Sequence, residues 1–69
     1  MAELVFEVVQ DAEGGFTAEA LGEGIFTEAE TWEDLRINVQ EAVEAYFFDR
    51  QKPSSVRLRL LRDEVLAIA

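Results

Sequence analysis

The stretch EGIFTEAETWEDL, residues 23–35, is where the chain changes period. Up to Glu30 apolar and polar residues alternate, as a strand requires; from Trp32 the apolar residues recur every three or four positions, as a helix requires. Thr31 stands at the join, where its hydroxyl can N-cap the helix by accepting a backbone N–H two or three residues on. Asp34 occupies the place from which a capping-box acid reaches back, and Glu33 and Asp34 both suit the positive end of the helix dipole. An acidic run of this kind can be an active site, a metal site or the seam between two elements. The seam needs no chemistry beyond the cap, with Trp32 packing where sheet meets helix.

Before the seam, LVFEVVQ (4–10) is rich in β-branched and aromatic residues and reads as a strand, with Leu4, Phe6 and Val8 on one face. DAEGG (11–15) is a turn, since Gly14 and Gly15 tolerate positive φ and Asp11 can bond back to nearby backbone. FTAEAL (16–21) alternates again, GEG (22–24) breaks the chain, and IFTEAE (25–30) is a third, shorter strand. Three strands joined by tight turns make an antiparallel meander.

After the seam, Trp32, Leu35, Val39, Ala42, Val43 and Tyr46 form one apolar stripe. Arg50 and Lys52 suit a helix C-terminus and Pro53 a stop, which predicts a helix over 32–50. SSVRLRLLR (54–62) returns to period two, with Val56, Leu58 and Leu60 on one side and Arg57, Arg59 and Leu61 on the other. Asp63 and Glu64 then either turn the chain into a short last strand, VLAIA (65–69), or let the strand run on. The order is β-β-β-α-β(-β). A right-handed crossover that returns parallel to the first strand gives the sheet order 3-2-1-4, with one helix across one face: a single-domain α+β fold.

At 69 residues the chain is one domain. A chain this short buries only about 60% of its unfolded surface, and small domains respond with disulfides, a metal or self-association. Cysteine and histidine are both absent, which excludes disulfides and a thiolate or imidazole metal site and leaves self-association. Asp and Glu number 15 against 6 Lys and Arg, for a net charge of -9. That balance disfavours direct binding of DNA or RNA and suits solubility or a basic protein partner. No run of apolar residues is long enough to span a membrane, and the N-terminus has no basic region before its apolar residues, so the expected location is the cytoplasm.

Catalysis finds few footholds. Glu7, Glu19 and Glu28 fall opposite the apolar strand positions, where they can meet Arg57 and Arg59 across the sheet as charge pairs rather than act as acid and base. DAEGG resembles the start of a calcium loop but lacks the further oxygen ligands and the closing Glu. A nucleophilic Ser or Thr would need Lys52, the only lysine, beside Ser54 and Ser55 in what reads as a helix-to-strand loop. The glycines at 14, 15, 22 and 24 precede strands, whereas a phosphate cradle opens a helix. No cofactor is expected.

What remains is apolar. Val5, Val9, Phe26 and Leu61 fall on the sheet face away from the helix, and Ile37 and Phe48 lie off the main helical stripe. Apolar residues grouped on an open sheet face, with nothing else in the chain to cover them, are the candidate face for self-association or a partner.

The run DAEGGFTAEALG followed by IFTEAETWEDLRINVQEAVEAYF resembles the HicB-like antitoxin family. That family has an EDGGY-x-A hairpin, a short strand ending T-x-G-x-T, and a T-x-E-E-A-x-x-N-x-x-E-A helix. Thr31, Glu33, Asp34, Asn38, Glu41 and Ala42 stand at the helix positions of that pattern. The ending VRLRLLRDEVLAIA is similar to a branch with an Arg–Leu strand and an R-D/E-E turn. The resemblance covers nearly the whole chain. It implies a truncated ribonuclease-H-like fold without the metal-binding carboxylate set, self-association, and binding of a small basic RNA-cleaving toxin with a double-stranded-RNA-binding-like fold. The family's P-x-x-P-G-C segment is replaced here by LGEG. The C-terminal DNA-binding module of full antitoxins is absent, so operator binding is not expected.

The residues and the resemblance together lead to a non-catalytic interaction module, a homodimer or larger. Two alternatives stay open: an accessory subunit binding a small ligand between protomers, and a metal-dependent hydrolase using acidic residues.

Overall fold

Alternation gives way to a helical period at Thr31 in three dimensions as it does in sequence. In the computed structural model, which describes residues 3–69, strands β1 (Glu3–Gln10), β2 (Phe16–Ala20) and β3 (Phe26–Ala29) precede helix α1 (Trp32–Tyr46) and strand β4 (Ser55–Leu61). They form one sheet in the order β3-β2-β1-β4. The meander pairs are antiparallel, and β4 lies parallel to β1 with Leu4 opposite Val56 and Val9 opposite Leu61. The expected α+β class and strand order are those observed.

The β1–β2 turn is tied by Asp11. Its Oδ1 accepts the N–H groups of Glu13 and Gly15, both at 2.9 Å, and its own N–H donates to the Gly15 carbonyl at 2.8 Å. Gly14 sits at φ +97°, a conformation strained for any residue with a Cβ. At the helix start Thr31 Oγ1 accepts the Asp34 N–H at 3.1 Å, and Glu33 and Asp34 place charge in the first turn. Trp32 meets Phe16 edge-to-face, ring centroids 5.4 Å apart, which puts it where helix and sheet join.

One face of the sheet makes the core. Leu4, Phe6 and Val8 of β1 and Ala18 and Ala20 of β2 are buried together with Leu35, Val39 and Val43 of α1, and Ile25 and Phe47 complete this core at the C-terminal end of the helix. The two alanines matter for position. Small side chains on β2 leave room for a helix to approach closely, and α1 lies over β2 and β3.

Two expectations are corrected. The helix ends at Tyr46, not at residue 50. The Phe47 N–H still bonds the Val43 carbonyl at 3.0 Å, but the backbone there leaves the helical region while the Phe47 ring is fully buried. Arg50 then folds back over the Tyr46 and Phe47 rings, 4.8 Å from each centroid, and reaches Glu23 at 3.8 Å. The stop is therefore set by a ring entering the core, well before Pro53. Second, residues 65–69 form no strand. Beyond Leu61 the chain has no ladder partner and every residue is exposed.

Candidate interaction surfaces

Strand alternation sends odd-numbered β1 residues to the face that α1 does not cover. Register places Glu7 beside Glu19 on one side and Arg59 on the other, Val9 between Thr17 and Leu61, and Phe26 beside Glu19. Of the six candidate residues, Val5, Val9, Phe26 and Leu61 share this open face. Phe26 is the largest apolar side chain on it and is 62% exposed. Val5 is half-buried. Ile37 and Phe48 are exposed on the helical layer and cannot join the same patch. The six residues are thus two surfaces rather than one.

Charge on the open face is graded across the sheet. Glu7, Glu19 and Glu28 lie on β1 to β3, while Arg57 and Arg59 lie on the β4 edge. The expected cross-sheet ion pairs do not form among the described residues, although register sets Glu7 beside Arg59. Arg57 pairs not with Glu7, Glu19 or Glu28 but with Glu3, Nε donating at 3.1 Å and Nη2 at 3.0 Å from the carboxylate. That bond is the main reason the Glu3 carboxyl is held below its ordinary pKa and the Arg57 guanidinium is raised above its own.

At the β1–β2 turn end, Asp11, Glu13, Glu28 and Glu30 surround an open cleft of about 650 Å³ with Phe16, Thr17 and Thr31. The Asp11 carboxylate is engaged by two backbone N–H groups of its own turn. Among the described residues no group of three or more Asp, Glu, His or Cys is arranged to hold a metal ion.

The helical side has a smaller groove of about 270 Å³ between α1 and β4. Val39, Arg36 and Gln40 form one wall, and Val56 and Leu58 the floor. It exists because α1 lies over β2 and β3, so the core-side row of β4 is half covered at best, and Leu60 is exposed. Period-two reading identified that row but not that the helix would miss it, since helix placement depends on the sizes of Ala18 and Ala20 in another strand.

The structure also assigns jobs to positions of the helix pattern. Asn38 Nδ2 donates to the Glu28 carbonyl at 3.1 Å, which fastens α1 to β3. The Gly24 N–H reaches Tyr46 Oη at 3.4 Å, so the LGEG loop is held at the far end of the helix by Tyr46 and by Arg50 through Glu23. Among the described residues no helix is long and apolar enough to cross a membrane.

The chain is 33% identical over 66 residues to a UPF0150 protein of Thermotoga maritima, an alignment covering 96% of this chain and 93% of that one. It is 41% identical over 49 residues to a UPF0150 protein of Archaeoglobus fulgidus, covering 71% and 74%. No family model matches the chain, and no solved structure matches it.

Proposed function

The chain belongs to the UPF0150 family, and from that premise we propose that it is a cytosolic, non-catalytic, self-associating module of HicB-like antitoxin type that binds a small basic protein. The observation that carries this reading is the open sheet face, where Val9 and Phe26 are exposed among Glu7, Glu19 and Glu28. Apolar anchors ringed by carboxylates suit a cationic partner. The anchors supply contact area, and the acids steer encounter and reject acidic surfaces. A net charge of -9 extends that steering field over the whole molecule. The acidic cleft at the β1–β2 turn end adds a second attachment for Lys or Arg.

The test is capture of the tagged protein from its host's lysate with nuclease added. A stoichiometric small basic protein, lost on Phe26→Lys and weakened by raised salt, is the expected result. Recovery of self-copies alone overturns partner binding and leaves an oligomer without a toxin.

A further inference from the structure

Residues 62–69 carry the apolar side chains Val65, Leu66 and Ile68, exposed at 94%, 72% and 91%. They do not lie against the body. The molecule measures 55 × 20 × 17 Å, and its radius of gyration is 13.9 Å against about 11 Å for a packed chain of this length. An eight-residue strand is about 26 Å long, and an extended 62–69 segment adds about as much again, which accounts for the long axis. The segment thus prolongs β4 past the end of the sheet, and β4 is itself an edge strand with one side open. A long, apolar, unpaired edge is a template for another strand.

We propose that a second copy of this chain supplies that strand: residues 57–69 of two copies pair antiparallel about a two-fold axis at Asp63, each C-terminal segment lying along the other copy's β4. The sequence selects this register. With Asp63 on the axis, Leu66 faces Leu60 of the second copy, Ile68 faces its Leu58, Val65 faces its Leu61, and Arg62 faces its Glu64. Apolar residues meet apolar ones and opposite charges meet, twice each by symmetry. A shift of the axis to Arg62 would instead set Leu60 against Glu64 and Leu61 against Asp63.

Alternation continued from β4 also puts Leu66 and Ile68 on the core side, with Val56, Leu58 and Leu60. They close the outer side of the groove between α1 and β4, which a single copy leaves open. Since directly opposed residues of an antiparallel pair point to the same face, both helices lie on one side of the joined sheet. The open face with Val9 and Phe26 stays free on the other side for the basic partner.

This inference rests on the self-association in the proposed function and not on the basic partner. Light scattering of the full chain should give twice the 7.8 kDa monomer mass, and Leu66→Asp/Ile68→Asp should halve it with the helical circular dichroism unchanged. Because the chain has no cysteine, register is read independently by single substitutions. Asp63→Cys, with Cα atoms about 4.5–5.5 Å apart across the axis, should oxidise to a covalent dimer, and Ala69→Cys should not. A dimer that survives Leu66→Asp/Ile68→Asp overturns the tail pairing and leaves self-association standing. A monomeric wild type overturns both, and crosslinking of Ala69→Cys as readily as Asp63→Cys overturns the register.

Discussion

Asn38 Nδ2 donates a hydrogen bond of 3.1 Å to the main-chain carbonyl of Glu28, tying the middle of the helix to the shortest strand of the sheet. A bond of this kind contributes about 1 kcal/mol net, and β3 is a four-residue edge strand whose only ladder partner is β2. Asn38→Ala should therefore cost about 1 kcal/mol in urea unfolding, with the amides of β3 losing hydrogen-exchange protection before those of β1. Equal loss in both strands would remove the local role of the bond.

Phe47 and Phe48 are neighbours with opposite fates, one fully buried and the other 80% exposed. Replacing a buried Phe by Ala costs about 3–5 kcal/mol, and a folded chain of this size has roughly 3–10 kcal/mol in all. Phe47→Ala should be largely unfolded at 25 °C by circular dichroism. Phe48→Ala should unfold within about 0.5 kcal/mol of wild type.

The β1–β2 turn depends on one carboxylate that accepts two backbone N–H groups. Asp11→Ala should destabilise by about 1 kcal/mol, and Asp11→Asn, whose amide oxygen can still accept, by less. Thermal unfolding measures the difference, since 1 kcal/mol moves the midpoint by about 4–8 °C in a domain of this length.

Glu3 and Arg57 join the N-terminus of β1 to β4 through an exposed pair. The Glu3 pKa is lowered in the folded protein, so the pair stabilises above the ordinary glutamate value of about 4.3 and its contribution is lost as pH falls through the lowered one. The urea midpoint of wild type should exceed that of Glu3→Gln at neutral pH by a small margin. That margin should vanish on acidification and in high salt. A difference that persists at low pH would mean that Glu3 acts through packing.

Two Asp63 carboxylates face each other across the proposed axis. Like charges opposed in a strand pair cost up to about 1 kcal/mol, so Asp63→Asn should tighten the dimer by roughly two- to fivefold in sedimentation equilibrium. Weaker dimerisation would place the axis elsewhere.

Element type and order were legible in local sequence because each signal is short-range. Alternation in 4–10, 16–21 and 54–62 follows from the two-residue strand repeat, the stripe from Trp32 to Tyr46 from the helical one, and Thr31 from backbone capping at their junction. Those same signals sorted the strands into a core side and an open side that carries Val5, Val9, Phe26 and Leu61; of these Val9, Phe26 and Leu61 are exposed and Val5 is half-buried. Sheet order followed from chain connectivity.

Tertiary structure decided what depends on the shape of the space between elements. The burial of Phe47 ends the helix ahead of Arg50 and Pro53, because the core has room for one more ring and the chain bends to put it there. Ala18 and Ala20 let α1 settle over β2 and β3, which leaves Val56, Leu58 and Leu60 beside an open groove and residues 62–69 without a partner in their own chain. No local period encodes that outcome: it results from side-chain volumes brought together from strands and a helix distant in sequence.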